Sequence, residues 1–169
     1  MRVLGIDPGT RITGYGCVEL RAGALEPKLV EAGVLTFVRG ASLEARLVEL
    51  HESLEGLIAE LKPGHIAVEK LYAHYKHPRT AILMGHARGV ILLAAQQAGV
   101  TIHHLPATEV KKSITGHGHA SKHQMQRAVM SQCRLAEPPS PPDVADAIAI
   151  ALTAARRLAY EQLSTTART

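Results

Sequence analysis

The chain has 169 residues and is 46% hydrophobic, enough for one compact domain with a real core. Its formal net charge is +4, with ten histidines besides and a sequence pI of about 9.3, a balance that suits a polyanionic partner. No apolar stretch approaches the roughly 20 residues of a membrane helix and no signal-type start is present. Cys17 and Cys133 stand too far apart for a metal or redox motif, so a soluble, cytoplasmic protein with two reduced thiols is expected.

Val3 to Ile6 is a short, continuously apolar run, as in a strand buried on both faces. It ends at Asp7, where Pro8-Gly9 forces a turn. Gly14 to Leu20 reads as a second strand and Lys28 to Val38 holds a third. Short connections, Arg21-Ala22-Gly23-Ala24 among them, predict an antiparallel meander. Ser42 is placed as a helix N-cap, and Leu43, Leu47, Leu50, Leu54, Leu57, Ile58 and Leu61 recur at helical spacing until Lys62-Pro63-Gly64.

His65 to Glu69 is the fourth predicted strand, and the polar Tyr72 to Arg79 a loop. Thr80 to Ala98 is a second helix ended by Gly99, and Val100 to Leu105 a fifth strand. A short helix over Ala107 to Ile114 and a loop over Thr115 to His119 follow. Ser121 and Gln124 have capping-box spacing, so another helix starts there. Pro142 suits the first turn of a final helix, with Val144, Ile148, Ala151, Leu152 and Ala155 on its apolar face. The expectation is an α/β layered fold with a mixed five-stranded sheet, a single domain over 1–163 and a flexible polar tail over 164–169.

Four acids stand out by position. Asp7 and Glu69 each end an apolar strand, and Asp143 and Asp146 lie three apart at the start of the last helix, on one face. If the first and fourth strands are parallel neighbours, Asp7 and Glu69 sit roughly 5 Å apart across the sheet. Four carboxylates together repel one another, and a divalent cation relieves that. All-oxygen donors suit Mg²⁺ or Mn²⁺ rather than zinc, and two such ions can drive phosphodiester cleavage. Plainer readings stand beside this one. Asp7 before Pro8-Gly9 can be a turn residue, Asp143 can offset the helix dipole, and Glu69 can pair with Lys70 or Lys111.

The segments Leu4 to Arg11, Thr13 to Gly16, Ala67 to Lys70, Gly85 to Val90 and Asp143 to Ala149 together resemble, in order and spacing, the motifs of RuvC Holliday junction resolvases. The resemblance covers nearly the whole chain. It implies a ribonuclease H-like fold and a homodimer that nicks opposed strands of a four-way DNA junction symmetrically, in recombination and repair. It implies Asp7, Glu69, Asp143 and Asp146 as the acids of one metal site per subunit, for which the reading of the acids above gives about two ions per subunit, and RuvA and RuvB branch-migration proteins as partners. Lys111 and Lys122 match positions near the scissile phosphate.

The aromatic and basic loop with Tyr72, Tyr75, Lys76 and Arg79 is of a kind that stacks bases and holds phosphates. The resemblance implies an aromatic three residues after the second acid that contacts the junction, usually Phe; Tyr72 has that spacing, and it also reads as a rim tyrosine packed on the sheet. Lys112 joins the candidate DNA contacts, with a solvated surface charge as its plain alternative. The pairs His117/His119 and His74/His77 lack a third zinc ligand, and phosphate contact or simple exposure fits them better.

Three other functions fit parts of the sequence. RuvX-type nucleases of ribosomal RNA processing open similarly but lack the spacing of the C-terminal acids. Sugar kinases and actin-like ATPases share the Asp7-Pro8-Gly9-Thr10 type of phosphate loop but need two domains. A junction-binding module that does not cut would be weakened by four acids.

Overall fold

The computed structural model describes residues 1–9, 11–24, 26–71 and 78–166. The elements run β1 (Arg2–Asp7), β2 (Ile12–Glu19), β3 (Lys28–Thr36), α1 (Leu43–Leu61), β4 (His65–Glu69), α2 (Pro78–Gln97), β5 (Thr101–Leu105), α3 (Ala107–Thr115), α4 (Lys122–Cys133) and α5 (Pro142–Thr166). The five strands form one sheet in the order β3-β2-β1-β4-β5. The first three are an antiparallel meander, while β1–β4 and β4–β5 are parallel, so the sheet is mixed and the fold α/β, as expected.

Alternation along the central strands divides the core into two layers. Val3 and Ala67 face a cluster built with α3, α4 and α5, including Ile148, Leu152 and Val129. Leu4, Ile6, Ile66 and Val68 face the other way, onto Leu50, Leu54 and Leu57 of α1 and Ala87, Ile91 and Ala94 of α2. Each of these large side chains, once buried, stabilises the fold by about 1.5–3 kcal/mol. Leu, Ile, Val and Ala supply nearly all of this core, as a chain with one Phe and no Trp requires.

The last helix lies unusually close to the sheet. A Cβ built on Gly5 or Gly14 would fall under 3.0 Å from backbone atoms of Ala147 or Asp143, and one on Gly16 would lie 2.9 Å from the Cα of Ile148. Only bare backbone on β1 and β2 admits α5 at this distance.

Caps fall where the sequence puts them. Ser42 Oγ accepts from Ala45 N at 3.2 Å, and α1 ends at Lys62 in a left-handed conformation (φ 47°). Ser121 and Gln124 exchange the two bonds of a capping box. Some boundaries move. β2 starts at Ile12 rather than Gly14 because the turn closes onto Thr13, whose hydroxyl donates to Gly9 O at 2.8 Å. β3 ends at Thr36, the partner of Ile12, since β2 offers nothing further to pair with. α2 opens at Pro78 rather than Thr80, a residue suited to a first helical turn. α5 is helical as far as Thr166, so the polar segment from Ser164 begins as helix. Among the described residues no helix is long and apolar enough to cross a membrane.

Candidate active site

Strand order reverses at β1: β2 and β3 lie to one side of it, β4 and β5 to the other. The carboxyl ends of parallel strands at such a point are where α/β sheets hold ligands. The β1–β4 register runs to Ile6↔Val68, so Asp7 and Glu69 follow as the next neighbours in step. α5 brings its first turns to the same edge, and Val144 N donates to Pro141 O at 3.0 Å as the helix starts. Asp7, Glu69, Asp143 and Asp146 thus line one cleft of about 720 Å³, together with Lys111 and Lys122.

The electrostatics of the cleft are strained. Burial, then the charges of Asp146, Asp143 and Glu69, push the Asp7 carboxyl up to about 8, against the pull of Lys122. Burial and Asp146 raise Glu69, with Lys111 opposing. Burial also raises Asp146, with Asp143 adding to it and Lys122 and Lys111 opposing. None of the ion pairs within 4.0 Å among the described residues involves these four acids. Lys111 and Lys122 therefore act at longer range, and the pairing of Glu69 with Lys70 or Lys111 is not made as a close ion pair.

This donor set fits hard divalent cations: all oxygen, half-buried, and carrying more negative charge than two lysines offset. Among the described residues, however, no three His, Cys, Asp or Glu side chains are gathered closely enough to clasp an ion as they stand.

The other candidates are more scattered. Arg79 is exposed on the first turn of α2, and Lys112 is exposed on the side of α3 away from the cleft. Tyr72, Tyr75 and Lys76, with His74 and His77, lie outside the described residues. The rings of His117 and His119 meet edge-on with centroids 6.1 Å apart, and both are exposed. Sequence reasoning did not single out Arg11, Thr80, Leu83 and Met84, which also line the cleft. Arg11 carried a signal, since it follows the turn after Asp7. The α2 residues did not, because only the folded helix brings them over the acids.

The chain matches the family model of crossover junction endodeoxyribonuclease RuvC over residues 3–154. It is 49% identical over 150 residues to a crossover junction endodeoxyribonuclease RuvC of Rhodopirellula baltica, covering 89% of this chain and 83% of that one. Among solved structures, Thermus thermophilus RuvC superposes with a TM-score of 0.84 at 33% identity, covering 95% of this chain and 97% of that chain. T. thermophilus RuvC in complex with a Holliday junction substrate gives 0.83 at 34% identity, with 93% and 96% covered.

Proposed function

Because the chain belongs to the RuvC family of crossover junction endodeoxyribonucleases, we propose that its four-acid cleft is where it resolves Holliday junctions. The protein is a metal-dependent endonuclease of DNA recombination and repair, with a ribonuclease H-like fold. The observation that carries the site reading is the convergence of Asp7, Glu69, Asp143 and Asp146 in one cleft, with Asp7 pushed up to about 8.

Mg²⁺ or Mn²⁺, two ions per subunit, would be held by these acids and would supply water activation and leaving-oxygen stabilisation in phosphodiester hydrolysis. The acids on the rigid sheet, Asp7 and Glu69, fix one side of the donor set, and α5 sets the other through Asp143 and Asp146. Lys122 and Lys111 line the same cleft and on this reading supply positive charge to an entering scissile phosphate. Arg79 and Lys112, exposed away from the cleft lining, contact the junction arms on this reading, and Tyr72, Tyr75 and Lys76 add further DNA contacts. The reading also places the protein in the cytoplasm, working with RuvA and RuvB.

The unit of action is a homodimer joined through α2. Ile82 and Leu93 on this helix are 60% and 52% exposed, and a Cβ on Gly85 or Gly89 meets nothing within 4 Å. With Leu47, His86 and Val90 these residues line a shallow groove into which a second copy of the helix can settle. A two-fold pair presents two sites to two opposed strands.

The test is incubation of the protein with a synthetic four-way junction and Mg²⁺ or Mn²⁺. Paired nicks at symmetric positions are expected, and Asp7→Asn should abolish them while junction binding persists. Nicking by Asp7→Asn at a near wild-type rate would remove Asp7 from the site.

A further inference from the structure

The inner side of α2 packs on the sheet through Ala87, Ile91, Ala94 and Ala95. Arg88, next to the fully buried Ala87, reaches the ends of two strands. Its Nε donates to the main-chain carbonyl of Glu69 at 3.2 Å. Its Nη2 lies 2.7 Å from Nδ1 of His104 on β5. Burial, followed by the charges of Arg88 and Lys70, holds His104 below its ordinary value, so this nitrogen is free to accept. One residue further, Lys70 N donates to Leu105 O at 2.8 Å. The end of β4 is thus pinned from the helix and from the neighbouring strand at the point where it turns away from the sheet.

Glu69 is the last residue of β4, and its carboxylate stands against the charge of Asp146. A strand-end residue under repulsion swings outward unless its main chain is held. Arg88 is not among the groups that shift the Glu69 carboxyl, which are burial, Asp146 and Lys111. Its side chain meets His104, which alternates with the α5-facing His103 and Leu105 and so faces the α2 side. The Glu69 side chain, one residue past the α2-facing Val68, points to the α5 side. Arg88 therefore acts on Glu69 through the backbone and not as a counter-charge.

We propose that Arg88 is a positioning residue for the acidic site, clamping the Glu69 carbonyl so that the carboxylate stays aimed at the metal-holding cleft. The proposal deepens the reading of Glu69 as a metal-holding acid and rests on it. Partners that orient metal-holding groups typically change metal affinity by about 10–100-fold when removed. Lysine has one ammonium for the two acceptors that the guanidinium fork reaches together, so Arg88→Lys restores only part of the clamp.

The experiment compares wild type, Arg88→Met, Arg88→Lys, Glu69→Gln and Glu69→Gln/Arg88→Met. Mn²⁺ binding to the DNA-free protein is titrated calorimetrically, and single-turnover junction cutting is followed across a range of Mg²⁺ concentrations. Arg88→Met should weaken Mn²⁺ binding about 10-fold and raise the half-saturating Mg²⁺ by a similar factor. High Mg²⁺ should recover most of the rate, and junction affinity without divalent cation should not change. Arg88→Lys should fall between, and Arg88→Met should cost no further Mn²⁺ affinity once Glu69 is Gln.

Wild-type Mn²⁺ affinity in the Arg88 variants, or an equal loss with and without the Glu69 carboxylate, overturns the proposal. If Arg88→Met does not fold, Arg88→Lys decides by the same criterion. Wild-type Mn²⁺ binding and cutting by Glu69→Gln itself would instead overturn the site reading on which the proposal rests.

Discussion

Asp7 costs the metal-free protein stability. Its carboxyl goes from an ordinary 3.8 to about 8 in the fold, so the folded state holds its proton more tightly than the unfolded chain. The penalty on folding is absent below about pH 4, grows as pH rises through the interval, and is complete above about 8. Asp7→Asn removes it. In EDTA the variant should melt higher than wild type at pH 8, by a few degrees or more, with the gap closing by pH 4. Calorimetry at several pH values checks this, and a lower Tm at pH 8 would contradict the assigned strain. Lys122 acts in the opposite sense, pulling Asp7 and Asp146 down. Lys122→Ala should therefore reduce the single-turnover rate at saturating protein more than it reduces junction affinity. An unchanged saturated rate with weaker binding would make Lys122 a holding contact only.

At the level of elements, α4 shows how a local signal positions chemistry. Lys122 is its first residue, and the Ser121–Gln124 capping box fixes where that residue stands. Ser121→Ala should cost about 1 kcal/mol, or roughly 2–4 °C in Tm, and lower the cutting rate with it; a thermal melt and a single-turnover assay test the two together. This box was legible in the sequence, as were Asp7 and Glu69 at strand ends and Asp143 and Asp146 on one helix face, because short-range spacing encodes each of them. The parallel pairing of β1 with β4 was legible only as a condition, since pairing across an intervening meander and helix leaves no mark in local pattern. The start of β2 was missed because it depends on Thr13 turning back to Gly9. Arg88 was legible only as a member of the Gly85 to Val90 motif and not by its role, because its partners on β4 and β5 are 19 and 16 residues away.

For the whole molecule, the proposed homodimer sets where two copies have to meet. One cleft opens at one edge of the sheet, while the groove on α2 opens between α1 and α2 on the other layer. The proposed pairing through α2 uses Ile82, Gly89 and Leu93, none of which lines the cleft. A charge at Leu93, which is 52% exposed, can then break the pair without opening the core. Leu93→Glu should sediment as a monomer at micromolar concentration and lose paired nicks, while its Tm stays close to wild type. Dimeric sedimentation of the variant would place the interface elsewhere. Binding by either form should weaken steeply with added salt, as backbone contacts release counterions.

The tight seat of α5 on Gly5, Gly14 and Gly16 makes the proposed metal site sensitive to a thickness. Asp7 and Glu69 belong to the sheet and Asp143 and Asp146 to the helix, so the gap between the layers is the ruler by which the two halves of the donor set are spaced. A single methyl group at position 16 is a shim: it meets the backbone of Ile148, which cannot rotate aside, and the helix must lift. Gly16→Ala should then weaken Mn²⁺ binding even in the fraction of molecules that stays folded, because every acid remains present and one pair stands too far from the other. Among substitutions that damage this enzyme, some of the most harmful will fall on residues that have no side chain to lose.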